Sequence, residues 1–149
     1  MRAVVQRVLR AHVTVADERV AEMGEGLLAL VGVAPGDGLP QADDLARRMA
    51  HLRVFEDVAG KMNRSLLEVG GTLGVVSQFT LLADARQGRR PSFTGAARPE
   101  QAEPLVERVA ATARGLGLAV VTGRFGARME VALVNAGPVT LLLDTEGRF

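Results

Sequence analysis

The stretch Val131-Ala-Leu-Val-Asn-Ala-Gly-Pro-Val-Thr-Leu-Leu-Leu143 contains two apolar runs of strand length, separated by a break. Pro138 cannot donate a hydrogen bond to a sheet ladder, and Gly137 tolerates backbone angles that other residues avoid. Asn135 can hydrogen-bond to nearby backbone, and Gly137-Pro138 is a peptide bond for which the cis form is accessible. The break therefore predicts a stiff turn or a kink at a strand end, and its simplest interpretation is a tight turn between two strands.

Working outward from this stretch, β-branched and apolar runs predict further strands at 3–15, 19–23, 27–33, 72–82 and 118–122. Apolar stripes at helical spacing predict one helix at about 40–52 and a second that starts at Pro99 or nearer Pro104. The fold class is thus α/β: a β-rich domain at 1–149, with a mixed or antiparallel sheet or barrel-like sheets and two main amphipathic helices. The tail at 144–149 carries no recognisable role and is expected to be disordered.

Composition narrows the function classes. The 149 residues suffice for one domain that folds without disulfides or a structural metal. The absence of cysteine excludes disulfides and thiolate chemistry. No signal peptide and no apolar run long enough to span a membrane is recognisable, so a soluble, cytoplasmic protein with no membrane partner is expected. The net charge of +1 gives no general field for nucleic acid, and no DNA partner is predicted.

Two segments between the helices bear polar groups in unusual places. The predicted strand at 72–82 carries Ser77, Gln78 and Thr80 among apolar residues, which requires either hydrogen-bond partners or a ligand. Strand alternation would place Gln78 and Thr80 on one face, with Ser77 and Phe79 on the other. The following loop contains four arginines and no acid between Ala85 and Pro99: Arg86, Arg89, Arg90 and Arg98. Arginine suits phosphate, so this loop is a candidate contact for an RNA backbone.

The inventory of conventional catalytic groups is short. His12 and His51 are the only histidines, and neither lies in a metal-binding motif, so no metal and no cofactor are predicted. Ser77 lies outside a nucleophile-elbow motif, and no particular pair of carboxylates stands out. An enzyme with this sequence would depend on backbone amides, hydroxyls, shape and groups of its own substrate.

Two motifs carry a resemblance to a known family. Ser77-Gln-Phe-Thr80 and Asn135-Ala-Gly-Pro-Val-Thr140 resemble the two signature motifs of the D-aminoacyl-tRNA deacylases, and further similarity runs almost from end to end of the chain. The resemblance implies a hydrolase of tRNA editing that acts in chiral proofreading. It would bind the 3′ end of D-aminoacyl-tRNA and hydrolyse the ester, and would also act on glycyl-tRNA mischarged on tRNA-Ala.

The same resemblance implies roles for individual residues. The protein would be a homodimer in which Gly137-cisPro138 of one subunit enters the site of the other and excludes L-amino acids, with Asn135 and Arg7 holding that segment. The catalytic group would comprise the backbone amides of Phe79 and Thr80 as contacts for the ester oxygen. Ser77 and Gln78 would hold the terminal adenosine, whose 2′-hydroxyl would help to activate water.

Two alternatives stay open at this stage. One is a non-catalytic β-rich dimer that binds RNA or a small molecule, in which Ser77 and Thr80 are ordinary hydrogen-bonded hydroxyls of the core. The other is an esterase that uses Thr80 as its nucleophile, although the sequence offers no neighbouring base for that hydroxyl.

Overall fold

The computed structural model describes residues 1–148. Within this part of the chain, the strands are β1 Arg2–Val15, β2 Glu18–Met23, β3 Gly26–Gly32, β4 Phe55–Glu56, β5 Met62–Arg64, β6 Thr72–Ser77, β7 Ala119–Thr122 and β8 Glu130–Asp144. The helices are α1 Leu39–His51, α2 Leu66–Val69 and α3 Pro99–Gly115, and a 3₁₀ turn covers Phe79–Leu82.

The main sheet is mixed and is built around β1. Strand β8 runs antiparallel to β1 from one end to the other, while β2 and β3 pair antiparallel with successive halves of β1. Strands β6 and β7 then add to β3 in parallel. Gly26 is required where β3 meets β6, because a Cβ there would lie 1.9 Å from the carbonyl oxygen of Thr72. The mixed sheet with two main amphipathic helices confirms the predicted fold class.

Both long helices pack on one face of the sheet. Leu45 and Met49 of α1 and Val109 of α3 are fully buried in one apolar cluster with the strands. The helices are also joined to each other, since Asp43 on α1 accepts two hydrogen bonds from the guanidinium of Arg108 on α3, at 2.7 and 3.0 Å. A second apolar cluster fills the opposite face of the sheet and contains residues of β1, β2, β3 and β6. The segment before α3 is held beside the end of β3, since the N–H of Ala97 donates to the carbonyl oxygen of Val33 at 2.8 Å.

The prediction for the Gly-Pro break was wrong in one respect. The two apolar runs do not turn back on each other; they form the single long strand β8, and the register against β1 shifts on either side of Val8. Gly137-Pro138 is a cis peptide bond within this irregular stretch, and Gly137 has a φ of 118°. Since the only strand that pairs with β8 among the described residues is β1, the missing N–H of Pro138 faces no second ladder.

Two smaller predictions also need correction, and one alternative is decided. The strand predicted at 72–82 ends at Ser77, so the alternation expected for the residues after it does not apply. Of the two predicted starts of helix α3, the structure has the one at Pro99, with Pro104 inside the helix. The tail was expected to be disordered, but Asp144 is buried and the N–H of Thr145 donates to the carbonyl oxygen of Met1 at 2.9 Å. Phe149 lies outside the described residues.

Candidate active site

The backbone at the end of β6 presents two unpaired amides. The N–H of Gln78 donates to Val31 O of the neighbouring strand at 2.7 Å, and the chain then enters the 3₁₀ turn. The first N–H groups of a helical turn have no acceptor within the turn. Among the residues that the structure describes, the amides of Phe79 and Thr80 have no other hydrogen-bond partner either. Two adjacent donors are therefore available to a ligand, as the sequence-based assignment of these amides requires.

The side chains of Phe79 and Thr80, at the start of the turn, are exposed. Gln78 Nε2 donates to Thr80 Oγ1 at 2.5 Å, so the Thr80 hydroxyl proton is free to point elsewhere. Phe79 is 57% exposed, and its ring contacts Phe93 edge to face with centroids 5.1 Å apart. The side-chain hydroxyl of the half-buried Ser77 has no hydrogen-bond partner in the described part of the chain. These hydroxyls are thus not the satisfied core groups that one alternative required.

A cavity of about 600 Å³ opens beside this turn. Its volume falls within the range of roughly 300–1,000 Å³ that is usual for small-molecule sites. The walls come from the end of β3, from Val76 to Phe79, from Phe93, from the first turns of α3 and from residues 125–131, and Thr80 is not among the lining residues. Arg98 is the one titratable side chain among the lining residues, so the cavity contains no carboxylate or imidazole that could serve as a base.

The Gly137-Pro138 segment is held by two side chains. Arg7 Nε donates to Ala136 O at 3.3 Å, and its Nη1 donates to Val54 O at 2.6 Å. Asn135 Nδ2 donates to both Arg7 O and Val139 O, each at 2.9 Å, and so bridges the base of the bulge. Gly137 and Pro138 themselves are exposed. The bulge is therefore a fixed main-chain projection on the protein surface.

Within one chain, the two predicted parts of the site lie apart. Both can be located along β1, where Arg2 Nη1 donates to Leu81 O near the turn and Arg7 contacts the bulge. Arg2 and Arg7 themselves are five residues apart on this strand, which corresponds to about 16 Å along its axis. Neither Gly137 nor Pro138 lines the cavity beside Phe79. The structure thus brings Ser77, Gln78, Phe79 and Thr80 together, but it does not bring Asn135, Gly137, Pro138 or Arg7 to them.

The basic loop is closed by a β-bridge between Asp84 and Ser92. Arg86 is paired there, since its Nε and Nη2 donate to the two oxygens of Asp84 at 2.9 and 2.7 Å. This pair holds the pKa of Asp84 well below its usual range. Arg89 and Arg90 are exposed and have no ion-pair or hydrogen-bond partner within residues 1–148. Of Arg86, Arg89 and Arg90, the last two are therefore free to bind phosphate, while Arg98, the fourth arginine of the segment, lines the cavity.

Some residues of the cavity were missed by the sequence analysis. Phe93, Phe125 and the start of α3 line it, but only their proximity in the fold reveals this. Of the five phenylalanines of the chain, three line this cavity: Phe79, Phe93 and Phe125. For residues 1–148, no cluster of three metal-ligating side chains occurs, and no helix has the length and apolar character needed to cross a membrane.

Comparison with known proteins defines the class first: the chain is a hydrolase of the deacylase type. It belongs to the D-Tyr-tRNA(Tyr) deacylase family, whose model matches residues 4–144. A D-aminoacyl-tRNA deacylase of Thermomicrobium roseum is 60% identical over 145 residues, covering 97% of this chain and 94% of the relative. A D-aminoacyl-tRNA deacylase of Symbiobacterium thermophilum is 58% identical over 149 residues, covering 100% and 99%.

Solved structures agree on the architecture. The structure described as c-Myc DNA Unwinding Element Binding Protein superposes with a TM-score of 0.92 at 37% identity and covers 97% of this chain and 99% of that one. A probable eukaryotic D-amino acid tRNA deacylase superposes with a TM-score of 0.84 over 95% of this chain and 97% of its own. At 17% identity, the second likeness concerns the fold alone.

Proposed function

We propose that this protein hydrolyses the ester between a D-amino acid and the 3′-terminal adenosine of tRNA, releasing the D-amino acid and the tRNA. Glycyl esters, including glycyl-tRNA mischarged on tRNA-Ala, would be accepted as well. The family membership and the names of the relatives support this proposal. The observation that carries it in the structure is the pair of free amides of Phe79 and Thr80 beside a cavity of nucleoside-binding size. The protein would work in the cytoplasm, where aminoacyl-tRNA is used.

The free amides suit the electrostatic demand of ester hydrolysis. Attack by water converts the ester carbonyl into a tetrahedral oxyanion, and two fixed N–H donors stabilise that negative charge. A single donor of this kind is worth about 10²–10³ in rate. Because the donors are on the backbone and Gln78 is anchored to Val31, little reorganisation is needed as the charge develops. Ser77 and Gln78 would hold the terminal adenosine beside these donors.

The lack of a side chain that could accept a proton favours catalysis assisted by the substrate. Arg98 cannot act as a base at neutral pH, and no other titratable side chain lines the cavity. Thr80 Oγ1 accepts a hydrogen bond from Gln78, a neutral amide that cannot remove its proton. The 2′-hydroxyl of the terminal adenosine lies next to the ester in the substrate itself and would help to position and activate the attacking water. Thr80 would then contribute through its amide rather than as a nucleophile.

Chiral selection is assigned to the Gly137-Pro138 bulge of a second protomer. The bulge is exposed and does not line the cavity of its own chain, so a homodimer would be required to bring it to the ester. Arg7 and Asn135 fix the bulge, which would make it a barrier that cannot move aside for an L side chain. Selectivity would then arise from exclusion of the wrong enantiomer rather than attraction of the right one.

The decisive experiment compares matched D- and L-aminoacyl-tRNA, with glycyl-tRNA-Ala as a third substrate. Free amino acid should be released from the D and glycyl esters but not from the L ester. A binding protein without activity would retain all three substrates unhydrolysed, and equal hydrolysis of both enantiomers would overturn the assignment of a chirality filter. An esterase that uses Thr80 as its nucleophile would instead yield an acyl-enzyme that can be trapped by denaturation.

A further inference from the structure

A second cavity adjoins the first along helix α3. It has a volume of about 550 Å³ and lies between α3 and the segment 122–125. Ser77, Val106 and Phe125 line both cavities, so the two spaces meet at the end of β6. Helix α3 forms a wall of both: its first turns face the first cavity, and its later turns, as far as Arg114, face the second. A ligand that extends beyond the first cavity can therefore continue into the second.

The second cavity differs from the first in its chemistry. Glu103 and Glu107 line it on successive turns of α3, with Arg114 two turns further on. None of these three side chains has an ion-pair or hydrogen-bond partner among residues 1–148. All three side chains are exposed and therefore accessible to a ligand, although like charges four residues apart disfavour an isolated helix. Arg108, in contrast, is neutralised by Asp43 on α1.

We propose that the second cavity binds the penultimate nucleotide of the tRNA 3′ end, which is a cytidine, and that Glu103 and Glu107 recognise its base. The inference rests on the proposed function, in which the first cavity takes the terminal adenosine. The exocyclic amine of cytosine donates hydrogen bonds that a carboxylate accepts, whereas uracil presents a carbonyl oxygen at the same position. A carboxylate therefore distinguishes the two pyrimidines.

The other walls of the second cavity suit the remaining parts of a nucleotide. Phe125, which is half-buried, offers a ring against which a base can stack. The unpaired guanidinium of Arg114, at the end of the cavity furthest from the first, suits the phosphate on the 5′ side of the cytidine. Adjacent nucleotides of one strand would thus occupy adjacent cavities along α3.

The test uses two D-phenylalanyl-tRNA molecules that are identical except for a C or a U at the penultimate position. The wild-type protein should hydrolyse the C form with a kcat/KM about tenfold higher, the lower range expected for one base-specific contact. The double substitution Glu103→Gln/Glu107→Gln should bring this ratio close to one, because a side-chain amide can donate to uracil as readily as it accepts from cytosine. Glu100→Gln is the matched control: Glu100 is exposed on the same helix and lines neither cavity, so its ratio should equal that of the wild type.

Each result decides between the two proposals. Since the ratio is measured within one protein, a general loss of activity in a variant cancels. Equal rates on the C and U substrates in the wild type would overturn the inference, and so would a preference for C that survives the double substitution. If the wild type hydrolyses neither substrate, the proposed function fails and the assignment of the second cavity fails with it. If the wild type and Glu100→Gln prefer the C substrate and only the double variant has lost this preference, both the proposed function and the assignment of the second cavity are supported.

Discussion

Arg7 offers the sharpest test of how the Gly137-Pro138 bulge is held. Its side chain is 11% exposed, and it donates to Ala136 O in the bulge and to Val54 O just before β4. Substitution Arg7→Met keeps an unbranched apolar stem but removes every donor. Both carbonyl oxygens lose a charged partner, and the bulge loses its connection to the segment at Val54.

The size of the effect follows from these contacts. Hydrogen bonds to charged groups are worth about 1.5–3 kcal/mol each, and the 3.3 Å contact to Ala136 lies at the weak end of that range. We therefore expect Arg7→Met to lower the free energy of unfolding by about 2–5 kcal/mol. For a chain of this length, that corresponds to a fall in Tm of roughly 5–15 °C. The stability of Arg7→Lys should lie between those of the wild type and Arg7→Met. An ammonium group can reach one of the two carbonyl oxygens, but it does not reproduce the forked guanidinium that donates to both.

The functional readout is enantiomer selectivity, measured as the ratio of kcat/KM for D- and L-aminoacyl-tRNA. A bulge that is no longer fixed can yield to an L side chain, so the ratio should fall in Arg7→Met at a temperature where the variant is folded. Arg10→Met is the control, since Arg10 is an exposed residue of the same strand with no partner among the described residues. An Arg7→Met protein with lowered Tm but undiminished selectivity would refute the reasoning that this anchor maintains the filter.

Three further predictions concern the reaction, the RNA and the helices. Thr80→Ala should retain substantial hydrolysis because its amide remains, whereas a substrate ending in 2′-deoxyadenosine should be nearly inert; single-turnover rates measure both. Arg89→Ala/Arg90→Ala should weaken tRNA binding and reduce the slope of log Kd against log salt by up to about two, the number of phosphate contacts removed. The guanidinium of Arg108 holds the pKa of Asp43 at about 2, below its ordinary 3.8. Asp43→Asn should therefore lower Tm at neutral pH, and the difference from the wild type should disappear as the pH falls through about 2.

Contrary results would be informative in each case. An inactive Thr80→Ala protein that is folded, together with normal turnover of the deoxy substrate, would restore the nucleophile hypothesis. An unchanged salt slope would remove the basic loop from the RNA interface. A Tm difference for Asp43→Asn that persists unchanged below pH 2 would show that the carboxylate charge is not the stabilising feature. A carboxyl group whose pKa is lowered by folding stabilises the folded state only while it is ionised.

The sequence predicted the sheet and the helices where side-chain periodicity carries the information. The apolar stripe of α1 has a clear helical period, and the short continuous apolar run of β3 is bounded by glycines, so the boundaries of both were found to within a residue or two. The strand at 72–82 was misjudged at its end because Phe79, Leu81 and Leu82 continue an apolar pattern after the chain has left the sheet. Only the pairing of Gln78 with Val31, on another strand, shows where β6 stops.

Long-range pairing explains the other error. A Gly-Pro between two apolar runs predicts a turn when local propensity alone is considered. Here β1 is long enough to pair with both runs, so a bulge on one continuous strand satisfies the backbone better than a turn. The sequence also could not show that the bulge and the cavity lie apart in one chain. The distance between them depends on the path of β1 and not on the spacing of residues along the sequence. The RNA-contacting arginines could be listed from sequence, but the pairing of Arg86 with Asp84 could not.

The pairing of β1 with β8 has a consequence for how the protein is made. Arg2 pairs with Asp144, so one side of the central strand stays without its native neighbour until the ribosome has synthesised nearly the whole described chain. Folds dominated by such non-local pairings form slowly, and their open strand edges are exposed to aggregation in the meantime. Cotranslational folding should therefore be late and abrupt, and nascent chains that lack residues 130–144 should rely on chaperones for solubility.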